Sequence, residues 1–180
     1  PRKNGKSSLA SGIGSLLLLA DNEPGAEIYS AAADKEQAGI VFNQAKAMIE
    51  NSPHLDKRAE VYKSTITVPT TRSFYRVLSA DAPTKHGLNA HGNIFDELHA
   101  QPSRDLWDVL TTSTGSRRQP ITIALTTAGF NKQSICWEVH EYAEQVENGI
   151  IEDDTFLSVI YSADEDDDWQ DEATWEKANP

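Results

Sequence analysis

The sequence predicts an α/β fold in which a largely parallel β-sheet is flanked by helices. Strand and helix patterns alternate along most of the 180-residue chain. A Gly-Lys-Ser run opens the first predicted helix, and a short apolar strand ends in the adjacent acids Asp96 and Glu97. Alternating strands and helices build parallel sheets, which bind ligands at the carboxyl ends of their strands. We therefore expect one domain, large enough to bury a core, with its functional site at that edge.

The first part of the chain is predicted to fold as helix, strand and helix. The first helix runs from Lys6 to about Ala20, and the strand covers residues 27–32. Asp34 is expected to cap the next helix, with Gln37 three residues later completing a capping box. The apolar side chains of that second helix repeat on one face, at Ala38, Val41, Phe42, Ala45, Met48 and Ile49.

The remaining elements continue the alternation. Two strands, at 64–68 and 74–79, are joined by a polar turn. A helical stripe ends at Gly149, a residue type that commonly stops helices, and consists of Ile135, Val139, Tyr142 and Val146. The other predicted elements are a strand at 94–98, a helix at 103–112, a strand at 120–128 and a last strand at 156–161.

Charge is distributed unevenly along the chain, whose formal net charge is −12. Residues 150–180 contain eleven Asp or Glu residues and one Lys, so most of the net charge lies there. We interpret the acidic run 164–172 as a solvated segment. The sequence lacks the basic stripe that grips phosphate backbones, apart from small clusters at 57–58 and 117–118. If the protein binds DNA, most of the basic residues that contact it are therefore expected in parts of the full chain outside this sequence.

Two features bear on location. The single cysteine, Cys136, cannot form an internal disulfide and is typical of a reducing cytoplasm. Residues 2–25 have the order of a secretory signal, with basic residues, an apolar run and small residues. That apolar run is too short to span a bilayer. A phosphate-binding loop followed by a buried helix explains the same residues and agrees with the acidic strand end.

Residues 4–8 have the composition of the second half of a phosphate-binding loop. Gly5 allows the backbone to approach a phosphate, Lys6 supplies a positive charge for the β- and γ-oxygens, and the Ser7 hydroxyl suits Mg²⁺. A helix that opens at Lys6 also points N–H groups at the anion. We therefore predict that a nucleotide binds at Asn4, Gly5, Lys6, Ser7 and Ser8.

Two strand ends supply the rest of what ATP hydrolysis needs, a placed metal and an oriented water. Asp96 is predicted to hold Mg²⁺ directly or through water, and Glu97 to polarise the attacking water. The next strand closes with Thr126, Thr127, Ala128 and Gly129, and threonine hydroxyls there are suited to sense the γ-phosphate. Taken alone, the acid pair also fits exposed carboxylates at a strand end, and the second stretch fits a capped strand and loop.

Several motifs together resemble the large terminase subunit of tailed phages in their order and spacing. Arg-Lys-Asn-Gly-Lys-Ser at 2–7 comes first. The next are Leu-Ser-Ala-Asp at 78–81, Thr-Lys-His-Gly-Leu-Asn at 84–89, Ile-Phe-Asp-Glu-Leu-His at 94–99 and Thr-Thr-Ala-Gly at 126–129. The closing Trp-Glu-Lys-Ala-Asn-Pro at 175–180 is similar to the end of that family's ATPase region. The resemblance covers nearly the whole chain.

The resemblance implies a RecA-like P-loop NTPase of the additional-strand class. It implies a Mg²⁺-dependent ATP hydrolase, because members of that family drive double-stranded DNA into an empty capsid with ATP. Arg2 matches an arginine proposed to approach the γ-phosphate in cis, and residues 126–129 match a motif that couples hydrolysis to motion. Lys85 stands where some relatives place an arginine that serves a neighbouring subunit, and is a possible trans-acting basic residue.

The resemblance also implies an organisation and a set of partners. Residues 1–150 would form the ATPase core, without the strand and loop start that precede it in the family. Residues 151–180 would add the last strand and an acidic linker or lid segment, leading to a nuclease domain outside this sequence. The implied partners are double-stranded DNA, the portal protein, the small terminase subunit and further copies in a ring, in the host cytoplasm and with no membrane.

Two other hypotheses fit parts of the sequence. Residues 96–99 read Asp-Glu-Leu-His, the Asp-Glu-x-His form of a superfamily 2 helicase. Such a helicase usually carries Ser-Ala-Thr where this chain has Thr-Thr-Ala-Gly, and it needs a second RecA-like lobe. The other alternative is a non-catalytic prophage remnant, or a module that only docks to the portal. Intact Lys6 and Glu97 argue against decay, because folding requires neither.

Overall fold

The computed structural model describes residues 3–80, 87–164 and 166–179. The strands are β1 (Glu27–Ala32), β2 (Glu60–Val61), β3 (Thr65–Val68), β4 (Ser73–Ser79), β5 (Ala90–Asp96) and β6 (Ile121–Leu125). The helices are α1 (Lys6–Leu19), α2 (Lys35–Glu50), α3 (Pro53–Asp56), α4 (Asp105–Thr112), α5 (Ile135–Glu147) and α6 (Glu172–Ala178), with a 3₁₀ turn at Leu98–Ala100. Among the described residues, no helix is long and apolar enough to cross a membrane.

The six strands form one mixed sheet in the order β2-β3-β4-β1-β5-β6. β4, β1, β5 and β6 are parallel, whereas β2, β3 and β4 pair antiparallel. The predicted largely parallel sheet is therefore confirmed, with an antiparallel extension at one side. Parallel strands end at a common edge, so Ala32, Asp96 and Leu125 close their strands on the same side of the sheet. Within the described residues, β6 has one sheet neighbour, β5.

Alternating side chains of the central strands build a hydrophobic core on each face of the sheet. Ile28 and Ile94 pack with α1 and α2 in one cluster. Tyr29 and Phe95, one residue further along each strand, pack with α4 and α5 in the other. The protein therefore has three layers, helix, sheet and helix, as an α/β fold requires.

α1 lies close to the sheet because its inner face carries small residues. A Cβ atom built at Gly14 would lie 3.0 Å from both Ile94 Cδ1 and Tyr75 Cε1. Ser11 is buried, and its Oγ donates a hydrogen bond of 2.8 Å to the backbone oxygen of Val41 in α2. This close packing brings the first turn of α1 to the carboxyl end of β5.

β5 begins earlier than predicted, at Ala90 and not at residue 94. Polar residues near its start are buried, and each makes at least one hydrogen bond, although His91 Nδ1 and Asn93 Oδ1 have no partner among the described residues. His91 Nε2 lies 2.6 Å from Asp21 Oδ2, and Asn93 donates to the backbone oxygen of Leu110 at 3.1 Å. A hydrophobicity pattern does not identify a strand whose buried residues are polar.

The predicted last strand at 156–161 is wrong. The segment is irregular, and Leu157, Val159 and Tyr161 are exposed. An apolar pattern becomes a strand only where a neighbouring strand pairs with it, and none of the described strands pairs with this segment. A hydrogen bond of 2.7 Å from Tyr142 Oη to Asp153 Oδ2 holds the chain just before the segment against α5. Neither α3 nor α6 was predicted from the sequence.

The predicted N-cap of α2 is confirmed, but the capping box is not. Asp34 Oδ1 accepts hydrogen bonds from the backbone N–H groups of Glu36 and Gln37. Gln37 Oε1, which should return to the start of the helix, has no hydrogen-bond partner among the described residues. Gly149 has a φ of 68°, the left-handed conformation that ends a helix, and so follows α5 as predicted.

The basic cluster at 117–118 contributes less to the surface than its sequence suggests. The Arg117 side chain is 6% exposed. Its Nη2 donates to the backbone oxygens of Gly25 and Asn89, both at 2.7 Å. Arg117 therefore fixes two loops together and is not available as a DNA contact.

Candidate active site

The loop before α1 has the backbone conformation of an anion-binding turn. Gly5 is the N-cap of α1 and has a φ of 72°, and Lys3 is also left-handed, with a φ of 64°. The first N–H groups of a helix have no partner within the helix, and they carry a partial positive charge. The first turn of α1 contains no acidic residue that would occupy these groups. The helix start is therefore suited to bind a phosphate.

Ser7 joins this helix start to the end of β5. Ser7 Oγ donates to Asp96 Oδ2 at 3.1 Å, and the Glu97 backbone N–H donates to Asp96 Oδ1 at 3.1 Å. Asp96 is only 5% exposed, and this burial raises the pKa of its carboxyl group. The Ser7 hydrogen bond opposes that rise, the charge of Glu97 adds to it, and the charge of Lys6 opposes it. A buried carboxylate of this kind is stabilised by an added cation.

Glu97 follows directly, in an uncommon backbone conformation. Its φ is 51° and it caps the 3₁₀ turn Leu98–Ala100. Left-handed residues other than glycine are rare and often mark functional sites. The side chain remains 34% exposed, and its Oε2 lies 3.2 Å from His99 Nδ1 and 3.3 Å from Thr127 Oγ1. The turn therefore directs a carboxylate away from the sheet, beside two polar side chains.

The stretch after β6 surrounds His99. Thr126 Oγ1 lies 2.9 Å from His99 Nδ1 and accepts the His99 backbone N–H at 3.2 Å. A Cβ atom at Gly129 would lie 2.9 Å from His99 Cβ, so this position has no room for a side chain. Cys136 Sγ lies 3.7 Å from Thr126 Oγ1, and burial raises the pKa of its thiol. Thr126 thus contacts His99 at this end of the sheet, and its neighbour Thr127 lines the cleft.

These elements enclose a cleft of about 560 Å³. Its size is typical of small-ligand sites, which hold roughly 300–1,000 Å³. The lining residues are Lys3, Asn4, Gly5, Lys6, Ser7, Ser8, Gln37, Gln44, Glu97, His99, Ala100 and Thr127. The cleft thus contains all five predicted loop residues, together with Glu97 and Thr127. Asp96 lies behind Ser7, and Ala128 is exposed outside the lining.

Two parts of the site were not predicted. Gln37 and Gln44 reach the cleft from α2, and Ser8 Oγ donates to Gln44 Oε1 at 3.1 Å. Asn179, after α6, accepts a hydrogen bond of 2.9 Å from Asn4 Nδ2 in the loop. Periodicity assigned these glutamines to a helix but carried no signal for their position beside the loop. The predicted site residues Arg2 and Lys85 lie outside the described residues.

The described residues contain no cluster of three or more His, Cys, Asp or Glu side chains that could hold a metal alone. Ser7 and Asp96 nevertheless offer two oxygen atoms 3.1 Å apart. Mg²⁺ binds oxygen at about 2.0–2.1 Å in an octahedron, so adjacent ligands are about 2.9 Å apart, and it commonly takes one or two carboxylates plus substrate phosphates. The Ser7 and Asp96 pair fits that requirement.

Comparison with known proteins gives consistent matches. The family model "Terminase large subunit, ATPase domain" matches residues 1–145. The terminase large subunit of Enterobacteria phage HK97 is 30% identical over 188 residues, covering 99% of this chain and 36% of that protein. Protein YmfN of Escherichia coli (strain K12) is 37% identical over 94 residues, covering 52% of this chain and 21% of that protein. The chain therefore spans about a third or less of these relatives.

Solved structures agree. The crystal structure of the HK97 large terminase matches with a TM-score of 0.84 and 29% identity, covering 99% of this chain and 37% of that one. The large terminase ATPase domain of Thermus phage P74-26 matches with a TM-score of 0.59 and 23% identity, covering 72% and 58%, which supports the fold alone. The predicted RecA-like P-loop fold is confirmed, and a helicase lobe is not favoured. The chain belongs to the family of terminase large subunit ATPase domains.

Proposed function

We propose that this chain is the ATP-hydrolysing motor domain of a phage terminase large subunit, which moves double-stranded DNA into the procapsid. One observation carries the proposal. The first turn of α1 and the end of β5 meet at the cleft, where Ser7 Oγ and Asp96 Oδ2 are 3.1 Å apart. A phosphate-binding helix start and an acidic strand end are the two parts that an ATPase of this kind must hold together.

Residues 4–8 bind the phosphates in this proposal. Left-handed Gly5 turns the backbone so that N–H groups at the start of α1 face the cleft. Lys6 adds a positive charge there, as the lysine of a phosphate loop does. Asn4 and Ser8 flank the turn, and both line the cleft. Together these groups offset the negative charge of the β- and γ-phosphates.

Ser7 and Asp96 hold Mg²⁺ in this proposal. Both side chains present oxygen, and their spacing suits that ion. When bound, Mg²⁺ neutralises charge that develops on the phosphates. Ser7 now donates its hydrogen to Asp96, and it would instead turn a lone pair towards the metal. Ionised Asp96 then gains a cation that offsets the cost of its burial.

Glu97 is the catalytic carboxylate in this proposal. It lines the cleft beside the phosphate loop, and its side chain is partly exposed to water. A general base must lie within hydrogen-bond reach of the water whose proton it attracts. Thr127 contacts Glu97 and Thr126 contacts His99, which supports a role of residues 126–129 in coupling hydrolysis to motion. Arg2 in cis and Lys85 in trans would add positive charge at the γ-phosphate.

Residues 1–150 form the ATPase core in this proposal, and 151–180 lead to a further domain. The outer edge of β6 has no strand partner among the described residues, and it suits the strand that precedes the phosphate loop in the family. The implied partners are double-stranded DNA, the portal protein, the small terminase subunit and copies of the chain in a ring. The implied location is the host cytoplasm.

Steady-state hydrolysis of Mg²⁺-ATP by the full-length protein tests the proposal. Glu97→Gln should lower kcat by about 10²- to 10⁴-fold, the usual contribution of a general base, and leave ATP binding intact. Lys6→Ala should weaken ATP binding itself. Glu141→Gln is the matched control, because Glu141 is an exposed residue of α5, and it should behave as wild type. Normal turnover by Glu97→Gln would show that Glu97 is not the catalytic carboxylate.

A further inference from the structure

We propose that His99 is a positioning residue that holds one carboxylate oxygen of Glu97, so that the other oxygen receives the attacking water. The inference rests on the proposed function, because it specifies how Glu97 is oriented. Its basis is a group of contacts among four side chains at the ends of β5 and β6. Within this group, His99 contacts both Glu97 and Thr126.

The contacts assign the ring proton of His99 to Nδ1. Thr126 Oγ1 donates its hydrogen to the backbone oxygen of Thr127 at 2.9 Å, so it can only accept from His99. His99 Nδ1 lies 2.9 Å from that Thr126 oxygen and 3.2 Å from Glu97 Oε2. A carboxylate oxygen is also an acceptor. Thr126 Oγ1 and Glu97 Oε2 are therefore both acceptors, and the His99 Nδ1–H group donates to both of them.

The position of His99 is itself fixed. Its backbone N–H donates to Thr126 Oγ1 at 3.2 Å, so the backbone and the ring of His99 both hydrogen-bond to the same hydroxyl group. Leu98, one residue earlier, is buried with 1% exposure and anchors the 3₁₀ turn. Gly129 lies against the Cβ of His99, at a place where a side chain would displace the histidine. A ring held at this many points can orient a flexible neighbour.

The consequence is a division of labour between the two oxygens of Glu97. Oε2 receives His99 Nδ1–H and the Thr127 hydroxyl, the latter at 3.3 Å. Oε1 has no hydrogen-bond partner among the described residues. A glutamate has several rotatable bonds, and holding Oε2 restricts them. Oε1 is then the oxygen directed to water, and correct orientation of a catalytic group contributes strongly to the rate.

Variants of His99 in the full-length protein distinguish the loss of its Nδ1–H hydrogen bond from the loss of side-chain volume. His99→Asn places an amide N–H near the position of Nδ1, whereas His99→Gln carries its amide one carbon further out. We expect His99→Asn to keep kcat within about threefold of wild type. His99→Gln and His99→Ala should lower kcat by roughly 10- to 100-fold, less than loss of the base itself, with the Kd for ATP unchanged. Equal kcat for all three variants and wild type would overturn the proposal.

Thr126 supplies a second test that leaves His99 in place. Thr126→Val removes the hydroxyl at constant volume and should lower kcat, whereas Thr126→Ser should restore it. The double variant His99→Ala with Thr126→Val should be no slower than the slower single variant, because both remove one linked contact. If the two substitutions instead lowered kcat by independent factors that multiply in the double variant, His99 and Thr126 would not act through one contact.

A measurement without turnover checks the proton assignment. ¹⁵N shifts of selectively labelled histidine should show His99 protonated at Nδ1 near neutral pH, and the signal should change in Thr126→Val. A ring protonated only at Nε2 would overturn the assignment. If Glu97→Gln hydrolyses ATP normally, the proposed function fails along with this inference. If Glu97→Gln is inactive while all His99 variants match wild type, only the positioning role fails.

Discussion

Two glycines of α1 should respond in opposite ways to the same substitution, Gly→Ala. Gly12 and Gly14 both lie inside the helix, where alanine is more favourable than glycine by about 0.5–1 kcal/mol. No described atom outside the helix backbone lies within 4 Å of a Cβ built at Gly12. A Cβ at Gly14 would lie 3.0 Å from Ile94 Cδ1, 3.0 Å from Tyr75 Cε1 and 3.2 Å from Tyr75 Cζ.

The structure fixes the expected magnitudes. Gly12→Ala should raise the free energy of unfolding by about 0.5–1 kcal/mol. Gly14→Ala gains the same helical term, but inserting a methyl into a packed core costs about 1–3 kcal/mol. Tyr75 and Ile94 are fully buried, so neither side chain can move aside easily. The two variants should therefore differ by about 1–3 kcal/mol, with Gly14→Ala the less stable.

Urea denaturation monitored by circular dichroism measures this difference in the free energy of unfolding. The dependence of that free energy on urea concentration should be the same for both variants. The same variants should differ in function, because Gly14→Ala moves α1 away from β5 and separates Ser7 from Asp96. We expect Gly14→Ala to weaken binding of Mg²⁺-ATP and Gly12→Ala to leave it unchanged. Adding Ile94→Val to Gly14→Ala removes one clashing methyl and should recover part of the loss. Equal stabilisation by both glycine substitutions would refute the described contact between α1 and the sheet.

Three further predictions concern charged groups. Asp96→Asn should raise the free energy of unfolding at pH 7 by about 1 kcal/mol while abolishing Mg²⁺-dependent turnover. Burial raises the pKa of Asp96 in the folded state, so its ionisation opposes folding, and the gain should vanish as low pH protonates Asp96 in wild type. Arg117→Ala should lower the free energy of unfolding by about 3–5 kcal/mol in urea melts, because partly buried carbonyl oxygens and the largely buried Glu23 carboxylate lose their partner. Hydrogen bonds from Thr155 and Tyr142 lower the pKa of Asp153, so Tyr142→Phe should raise that pKa part of the way towards its ordinary value in an NMR titration. An unchanged pKa would exclude the Tyr142 contact.

Much of the fold was predictable because local signals and tertiary structure agree. The helix start at Lys6, the cap at Asp34 and the stop at Gly149 each depend on neighbouring residues, and all three lie where predicted. The strand that carries Asp96 was also predicted, since Ile94 and Phe95 before it are buried, although it ends at Asp96 and not at residue 98. These features need no knowledge of distant contacts.

Other features could not be read from local patterns. Residues 156–161 have an apolar composition, but whether they form a strand depends on a neighbouring strand, which is a property of the whole sheet. β5 begins at buried polar residues whose partners are far away in sequence, such as Asp21 for His91. The position of Gln37 in the cleft depends on how α2 packs beside α1. Each of these outcomes is decided by contacts between distant segments.

The most direct test of the account is a structure of the full-length Glu97→Gln variant with ATP and Mg²⁺. We expect the phosphates to lie against the backbone N–H groups of residues 5–8, and the metal to lie at Ser7 and Asp96. We also expect residue 97 to face a water beside the γ-phosphate, with His99 still holding one side-chain atom. A nucleotide bound elsewhere, or phosphates that do not contact the start of α1, would contradict this expectation.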